Sequence, residues 1–178
     1  MILLFTGNGK GKTTATLGLA LRASGWDKKV IILQFVKEES WPEGARKAIR
    51  ENLPHITIEA LGSGFVGIMG DKKTKEEHQK SARKALQRAT EVIESKKYNI
   101  VILDEILGAL HGELIGRKDM EDIIRIYLAM NSNQDLDLVL TGRNAPEWLI
   151  KKADLVTEMK EIKHPFQKGI RAKKGLDF

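Results

Sequence analysis

At 178 residues, with 42% hydrophobic and 30% charged residues, the chain is sized for one domain with a substantial core. It contains no cysteine, which excludes disulfides, thiolate metal sites and a cysteine nucleophile, and fits a reducing cytoplasm. The formal net charge is +6, and from Lys160 to Phe178 six Lys or Arg face two Asp or Glu. That excess reads as a solvated basic tail, a cationic wall over an anionic ligand or a nucleic-acid patch, the last weakened by the scarcity of aromatic residues there.

In chain order, the apolar run Ile2 to Phe5 predicts a buried first strand rather than a signal peptide, because it has no basic leader and ends at a glycine-rich segment. The segment is Thr6-Gly7-Asn8-Gly9-Lys10-Gly11-Lys12-Thr13-Thr14, and a helical run from Ala15 to Ala23 follows. Strand, glycine-rich turn, Gly-Lys-Thr and helix are the parts of a phosphate-binding loop. Glycines let backbone N–H groups approach an anion without Cβ clashes, and the helix N-terminus adds its dipole. In this reading Gly7, Asn8, Gly9, Lys10, Gly11, Lys12, Thr13 and Thr14 hold nucleotide phosphates, Lys12 reaches their oxygens and Thr13 ligates Mg²⁺. Thr6 stands where the common pattern has its first glycine, so the loop is tighter than in most nucleotide hydrolases.

Val30 to Phe35 reads as a second buried strand, Glu43 to Asn52 as a short helix and Ile56 to Leu61 as a third strand. Gly62 to Gly70 holds four glycines in nine residues and reads as a loop. Between about Lys75 and Lys96, Ala82, Ala85, Leu86, Ala89, Val92 and Ile93 recur at helical spacing, with Lys84, Arg88 and Glu91 opposite. Ile100 to Leu103 is a continuous apolar strand that ends in Asp104-Glu105. A helix is predicted over Ile123 to Met130, a strand over Leu136 to Thr141, a short helix around Pro146 to Lys152 and a last strand over Leu155 to Met159.

Strands alternating with helices predict an α/β fold: a mostly parallel sheet flanked by helices on both faces, of the P-loop NTPase, RecA-like kind, with residues 1–178 as a single nucleotide-binding domain. The carboxylates Asp104 and Glu105 then close a strand at the same sheet edge as the loop, where one or both can serve the metal. Arg143, in a Thr-Gly-Arg turn after a strand, can clamp phosphate oxygens or pair with a carboxylate at the surface. His55, His78 and His111 do not have metal-binding spacing, and the residues contain no evident Ser–His or Cys–His constellation.

The whole-chain pattern is more specific. The loop from Thr6 to Thr14 resembles that of the ATP:corrinoid adenosyltransferases, the P-loop type that acts in vitamin B12 metabolism. Further blocks resemble the family in order: Gln34-Phe35-Val36-Lys37, Trp41-Pro42-Glu43-Gly44, Gly62-Ser63-Gly64-Phe65, Leu103-Asp104-Glu105-Ile106, Leu140-Thr141-Gly142-Arg143, Ala153 to Glu158, Lys163-His164-Pro165-Phe166 and Gly175-Leu176-Asp177-Phe178. The resemblance implies that ATP donates its 5′-deoxyadenosyl group to the cobalt of a reduced corrinoid and that triphosphate leaves. It implies catalytic roles for Lys12, Thr13 and Glu105, a metal (Mg²⁺ or Mn²⁺) at Thr13, Asp104 and Glu105, and a corrinoid contact at Phe65. Gly67 stands where the family has a second aromatic, a tryptophan, and Met69 or Trp148 could take its place. The resemblance further implies a cytoplasmic homodimer, supplied with electrons by an external reductant or reductase, acting on neither membrane nor nucleic acid. The alternatives are a RecA-like ATPase that works with nucleic acid and an ATP-binding relative without transfer activity.

Overall fold

The computed structural model describes residues 1–64, 71–132 and 135–178. Among these residues six strands form one sheet: β1 (Ile2–Thr6), β2 (Val30–Gln34), β3 (Ile56–Ala60), β4 (Ile100–Asp104), β5 (Asp137–Thr141) and β6 (Leu155–Glu158). Every pairing is parallel, and the spatial order is β3-β2-β4-β5-β1-β6. The helices are α1 (Lys12–Ser24), α2 (Gly44–Asn52), α3 (Lys75–Ser95), α4 (Ile106–His111), α5 (Arg117–Met130) and α6 (Glu147–Ile150), with a 3-10 turn over Pro165–Lys168.

The continuous apolar runs are explained by burial on both faces. Side chains alternate across a strand, so Ile31, Leu33, Val101, Leu103, Leu138 and Leu140 join the core under α3, α5 and α6. Val30, Ile32, Ile100, Ile102 and Val139 join the other core, under α1 and α2. Each such side chain contributes roughly 1.5–3 kcal/mol by leaving water. The edge strand β6 departs from this rule, with all four residues exposed.

α3 begins with a reciprocal cap. The Glu77 N–H donates to the Thr74 hydroxyl at 3.2 Å and the Thr74 N–H to the Glu77 carboxylate at 2.7 Å. Its apolar face buries Ala82, Ala85, Ala89, Val92 and Ile93, with Leu86 partly covered. Opposite, Arg88 grips Glu59 of β3 with two hydrogen bonds, at 2.9 and 2.8 Å.

Most element ends shift by one to three residues from the sequence reading; one helix start and one whole helix differ by more. The helix expected from Ile123 starts at Arg117, because the Asp119 carboxylate accepts the Gly116 N–H at 2.7 Å and fixes an earlier start. The short helix α4 was not predicted; its six residues are too few to display a period.

The order of the strands places the chemistry. β1 leads into α1 on one face, while its neighbour β5 leads into α6 on the other; β2 and β4 part in the same way. Crevices open where neighbouring strands send their connections to opposite faces, at the carboxyl ends of the strands. The glycine-rich loop, Asp104-Glu105 and Thr141-Gly142-Arg143 all follow such ends.

Candidate active site at the carboxyl edge of the sheet

The loop over residues 7–11 is fixed by its glycines and by the end of β6. Gly7 has φ +96°, and a Cβ on it would stand 2.5 Å from the Met159 carbonyl oxygen. Gly9 donates its N–H to that oxygen at 2.6 Å. Here the Gly9 N–H therefore serves the chain end beyond β6 rather than an anion, and both glycines are required by the close approach of backbone to backbone.

Lys12, in the first turn of α1, is only 6% exposed. Its ammonium donates to the carbonyls of Gly7 at 2.8 Å and Gly9 at 3.0 Å, so it arches over the loop that precedes it. Burial lowers its pKa; Glu105 opposes that shift and Arg143 adds to it. Arg143 itself is exposed and also acts on Glu105.

Asp104 ends β4 and is 1% exposed. Thr13 donates its hydroxyl to Oδ1 at 3.0 Å, and Thr141, from β5, donates to the same oxygen at 2.9 Å. These bonds join the helix after β1 to the ends of β4 and β5. Burial raises the Asp104 pKa, against the pull of Lys37 and the two hydroxyls. Glu105 follows with φ +59°, a left-handed conformation that costs a non-glycine residue roughly 1–2 kcal/mol. The turn is held by its N–H, which donates to the Thr141 hydroxyl at 2.8 Å. Burial and then the Asp104 charge raise the Glu105 pKa. Two carboxylates thus lie side by side in poor solvation, a state that a cation relieves.

The Thr-Gly-Arg turn is equally specific. Gly142 has φ +140°, and a Cβ there would lie 2.6 Å from the Leu107 Cβ and 3.0 Å from the Gly108 nitrogen. Only glycine lets β5 exit over the start of α4 and leave Arg143 beside Lys12 and Glu105.

A second polar group borders this edge. Gln34, opposite Asp104 in the register of β2 and β4, donates to Glu43 at 3.0 Å and accepts from Arg46 at 3.2 Å; Glu43 also pairs with Lys37 at 2.5 Å. This buried network was not legible in the sequence, since its members scatter over loop and helix. Its only signal was the pair of blocks Gln34 to Lys37 and Trp41 to Gly44.

One sequence expectation is corrected. The chain does hold a Ser–His constellation: the Ser63 hydroxyl lies 2.7 Å from His78 Nδ1, and His78 Nε2 lies 2.9 Å from Asp71. A single neutral tautomer satisfies it, with Ser63 donating to Nδ1 and Nε2–H donating to Asp71. His78 is 2% exposed, too buried to meet a substrate. The three residues fasten together the chain on either side of residues 65–70. The periodicity of α3 places His78 on its inner face, but nothing local announces its partners.

Thr13, Lys12, Asp104, Glu105 and Arg143 are thus brought together; Asn8, Lys10 and Thr14 are exposed around them. Phe65, Gly67 and Met69 lie outside the described residues. Trp148 packs against the α3-side core and carries the Arg117 guanidinium 5.0 Å over its ring. Among the described residues, no group of three or more His, Cys, Asp or Glu is gathered for a metal, and no helix is long and apolar enough to cross a membrane.

Comparison with known proteins agrees over the whole length. Residues 1–178 match the family ATP:corrinoid adenosyltransferase BtuR/CobO/CobP. A corrinoid adenosyltransferase of Sinorhizobium sp. is 37% identical over 179 residues, taking in 100% of this chain and 80% of the relative. That of Escherichia coli K12 is 32% identical over 180 residues, with 100% and 85% covered. Corrinoid adenosyltransferase CobA of Salmonella typhimurium LT2 is 30% identical over 179 residues, again with 100% and 85% covered. None of these supports a nucleic-acid-dependent ATPase. With its tight phosphate loop, its Asp104–Thr13 link and its similarity from end to end, the chain belongs to the BtuR/CobO/CobP family of ATP:corrinoid adenosyltransferases.

Proposed function

We propose that the protein moves the 5′-deoxyadenosyl group of ATP onto the cobalt of a reduced corrinoid, in cobalamin biosynthesis or salvage, and that the loop around Lys12 grips the triphosphate. The observation that carries the second part is the arch of Lys12 over the loop beside the Thr13–Asp104 hydrogen bond. In the reaction the Co(I) nucleophile of the corrinoid substrate forms a bond to C5′ while the C5′–O5′ bond breaks, and the electron pair leaves with triphosphate. No proton is abstracted, so no general base is needed, in keeping with a Ser–His pair that is buried and structural.

The work of the protein is then electrostatic. Lys12 is short of solvation and gains by exchanging carbonyl partners for phosphate oxygens that grow more negative as the bond breaks. Arg143 supplies a second cation from the β5 turn. Gly7 to Thr14 place the start of α1 and its dipole against the same anion.

A divalent cation fits the donor set. Thr13, Asp104 and Glu105 offer hard oxygens, and two carboxylates with a hydroxyl leave coordination positions for polyphosphate, which is the habit of Mg²⁺. Mn²⁺ would suit the same oxygens. Bound there, such an ion would neutralise triphosphate charge. Thr141 would hold Asp104 in place, and the Glu105 turn would keep its carboxylate beside it.

The same reading takes residues 1–178 as one nucleotide-binding domain in the cytoplasm, a homodimer served by an external reductant, with Phe65 against the corrinoid. The test is anaerobic incubation with ATP, Mg²⁺ and chemically reduced corrinoid, followed by identification of both products. Adenosylated corrinoid with inorganic triphosphate is expected; ADP and phosphate as the turnover products would overturn it.

A further inference from the structure

The loop has a second lysine, and a distant piece of the chain holds it. Lys10 donates its ammonium to the Leu176 carbonyl at 2.9 Å and pairs with the Asp177 carboxylate. The partners are more than 160 residues away in sequence.

The segment from Lys173 to Phe178 is a folded turn. The N–H groups of Leu176 and Asp177 return to the Lys173 carbonyl at 3.1 and 2.8 Å, and Lys173 donates its own N–H to Asp177 Oδ2 at 2.7 Å. A Cβ on Gly44 would lie 3.8 Å from the Phe178 oxygen. The turn therefore reaches from the phosphate loop to the start of α2. Glu43 immediately precedes that helix and is bonded to Gln34 and Lys37, the network that borders Asp104.

Lys12 and Lys10 are engaged differently. Lys12 is held by neutral carbonyls, which a phosphate can outbid. Lys10 is held by a full negative charge, and the Asp177 pKa is lowered chiefly by that hydrogen bond. An anion that takes Lys10 must displace Asp177 or lie beside it.

We propose that Asp177 is an internal competitor for the triphosphate: its carboxylate occupies Lys10 when no polyphosphate is bound, yields it to ATP and reclaims it as the triphosphate product leaves. The inference rests on the reading that the Lys12 loop grips the triphosphate. Its logic is that substrate and product share the same anionic tail. A contact equally strong with both does nothing for the chemical step and slows release. A carboxylate of the chain that competes with both weakens ATP binding and frees the product by the same factor. Asp177 acts through Lys10 and is a positioning residue.

The test uses the full-length chain at fixed ionic strength, with inorganic tripolyphosphate binding measured by calorimetry and tripolyphosphate inhibition measured against ATP. Asp177→Asn keeps the size and hydrogen-bonding oxygen without the charge. It is expected to bind tripolyphosphate about two- to fivefold more tightly, the range of an exposed ion pair. The inhibition constant and the apparent KM for ATP should fall together. Asp177→Glu, which keeps the charge, should remain near wild type. In a Lys10→Ala background, Asp177→Asn should add nothing. Unchanged or weaker binding by Asp177→Asn overturns the proposal, as does tightening that persists without Lys10. If Lys12→Ala weakens tripolyphosphate binding while Asp177→Asn has no effect, this inference alone fails. If binding ignores both lysines, the reading of the phosphate loop fails and the inference falls with it.

Discussion

The carboxyl edge of β1, β4 and β5 and the stretch beyond β6 both carry many charges, yet they treat them in opposite ways. At the sheet edge Lys12 and Asp104 are almost wholly buried: Lys12 donates to the loop just before it, and Asp104 accepts from Thr13 and Thr141, both far from it in sequence. Their pKa values shift against the charged forms because solvent is absent. Beyond Glu158 nearly every residue is exposed, Phe166 at 79% and Ile162 at 83%, and the polar contacts are local turns with a few reaches to the loop. Charge at the edge costs stability and is poised for an anion and a cation. Charge in the tail costs little and tunes its surroundings.

The largest effect expected from this contrast is at Lys12. Lys12→Ala removes a desolvated cation aimed at the leaving group, so turnover should fall by about 10²–10³-fold. Steady-state assay of adenosylated product checks it, and unchanged kinetics would strip Lys12 of that role.

His78→Ala separates burial from chemistry. It leaves Ser63 and Asp71 without their shared partner and should cost about 1–3 kcal/mol, seen as a lower Tm. ATP affinity should stay within about twofold, since the hydrogen bonds of Ser63 and Asp71 to His78 are separate from those that Lys12 makes to its loop. A variant of normal stability would dissolve the view of this group as a structural fastening.

Glu105→Gln should raise the metal concentration for half-maximal activity by about tenfold, because it removes one of two carboxylates. It should also stabilise the metal-free protein, with a definite pH dependence. The Glu105 pKa is raised above its ordinary 4.5 in the folded state. The native protein then binds more protons than the unfolded chain between those two values, so stability falls as pH rises through that window. The penalty is complete above it. The gain in Tm from Glu105→Gln should accordingly be larger at pH 8 than at pH 4; an equal gain at both would exclude the ionised carboxylate as its source.

At the other extreme, Phe166→Ala should change stability by no more than about 0.5 kcal/mol in unfolding experiments, as expected of a ring in solvent. A large loss would mean that the segment is covered in the assembled protein, and would sharpen the case for a second copy packed there.

Much of the fold was legible because parallel strands buried on both faces are written as unbroken apolar runs. Ile100 to Leu103 and Val30 to Leu33 could be little else. The loop, Lys12, Thr13 and the Asp104-Glu105 strand end were legible for the same reason, since each sits at a fixed offset from a strand. α4 was missed because six residues cannot show a period, and the exposure of β6 because an edge strand of Leu and Val reads like a covered one.

What the residues determined alone was the order of elements and the identity of the groups at the strand ends, since short-range geometry ties each to its own strand. Only the tertiary structure decided which ends meet. It set Thr13 and Thr141 on one Asp104 oxygen, turned the Gly9 N–H toward Met159, joined Ser63 and Asp71 through His78 and brought Asp177 to Lys10. The physical reason is that each of these is a polar contact between segments with no shared periodicity. Such contacts follow from the order in which strands lie in the sheet, a property of the packed whole that no local stretch encodes.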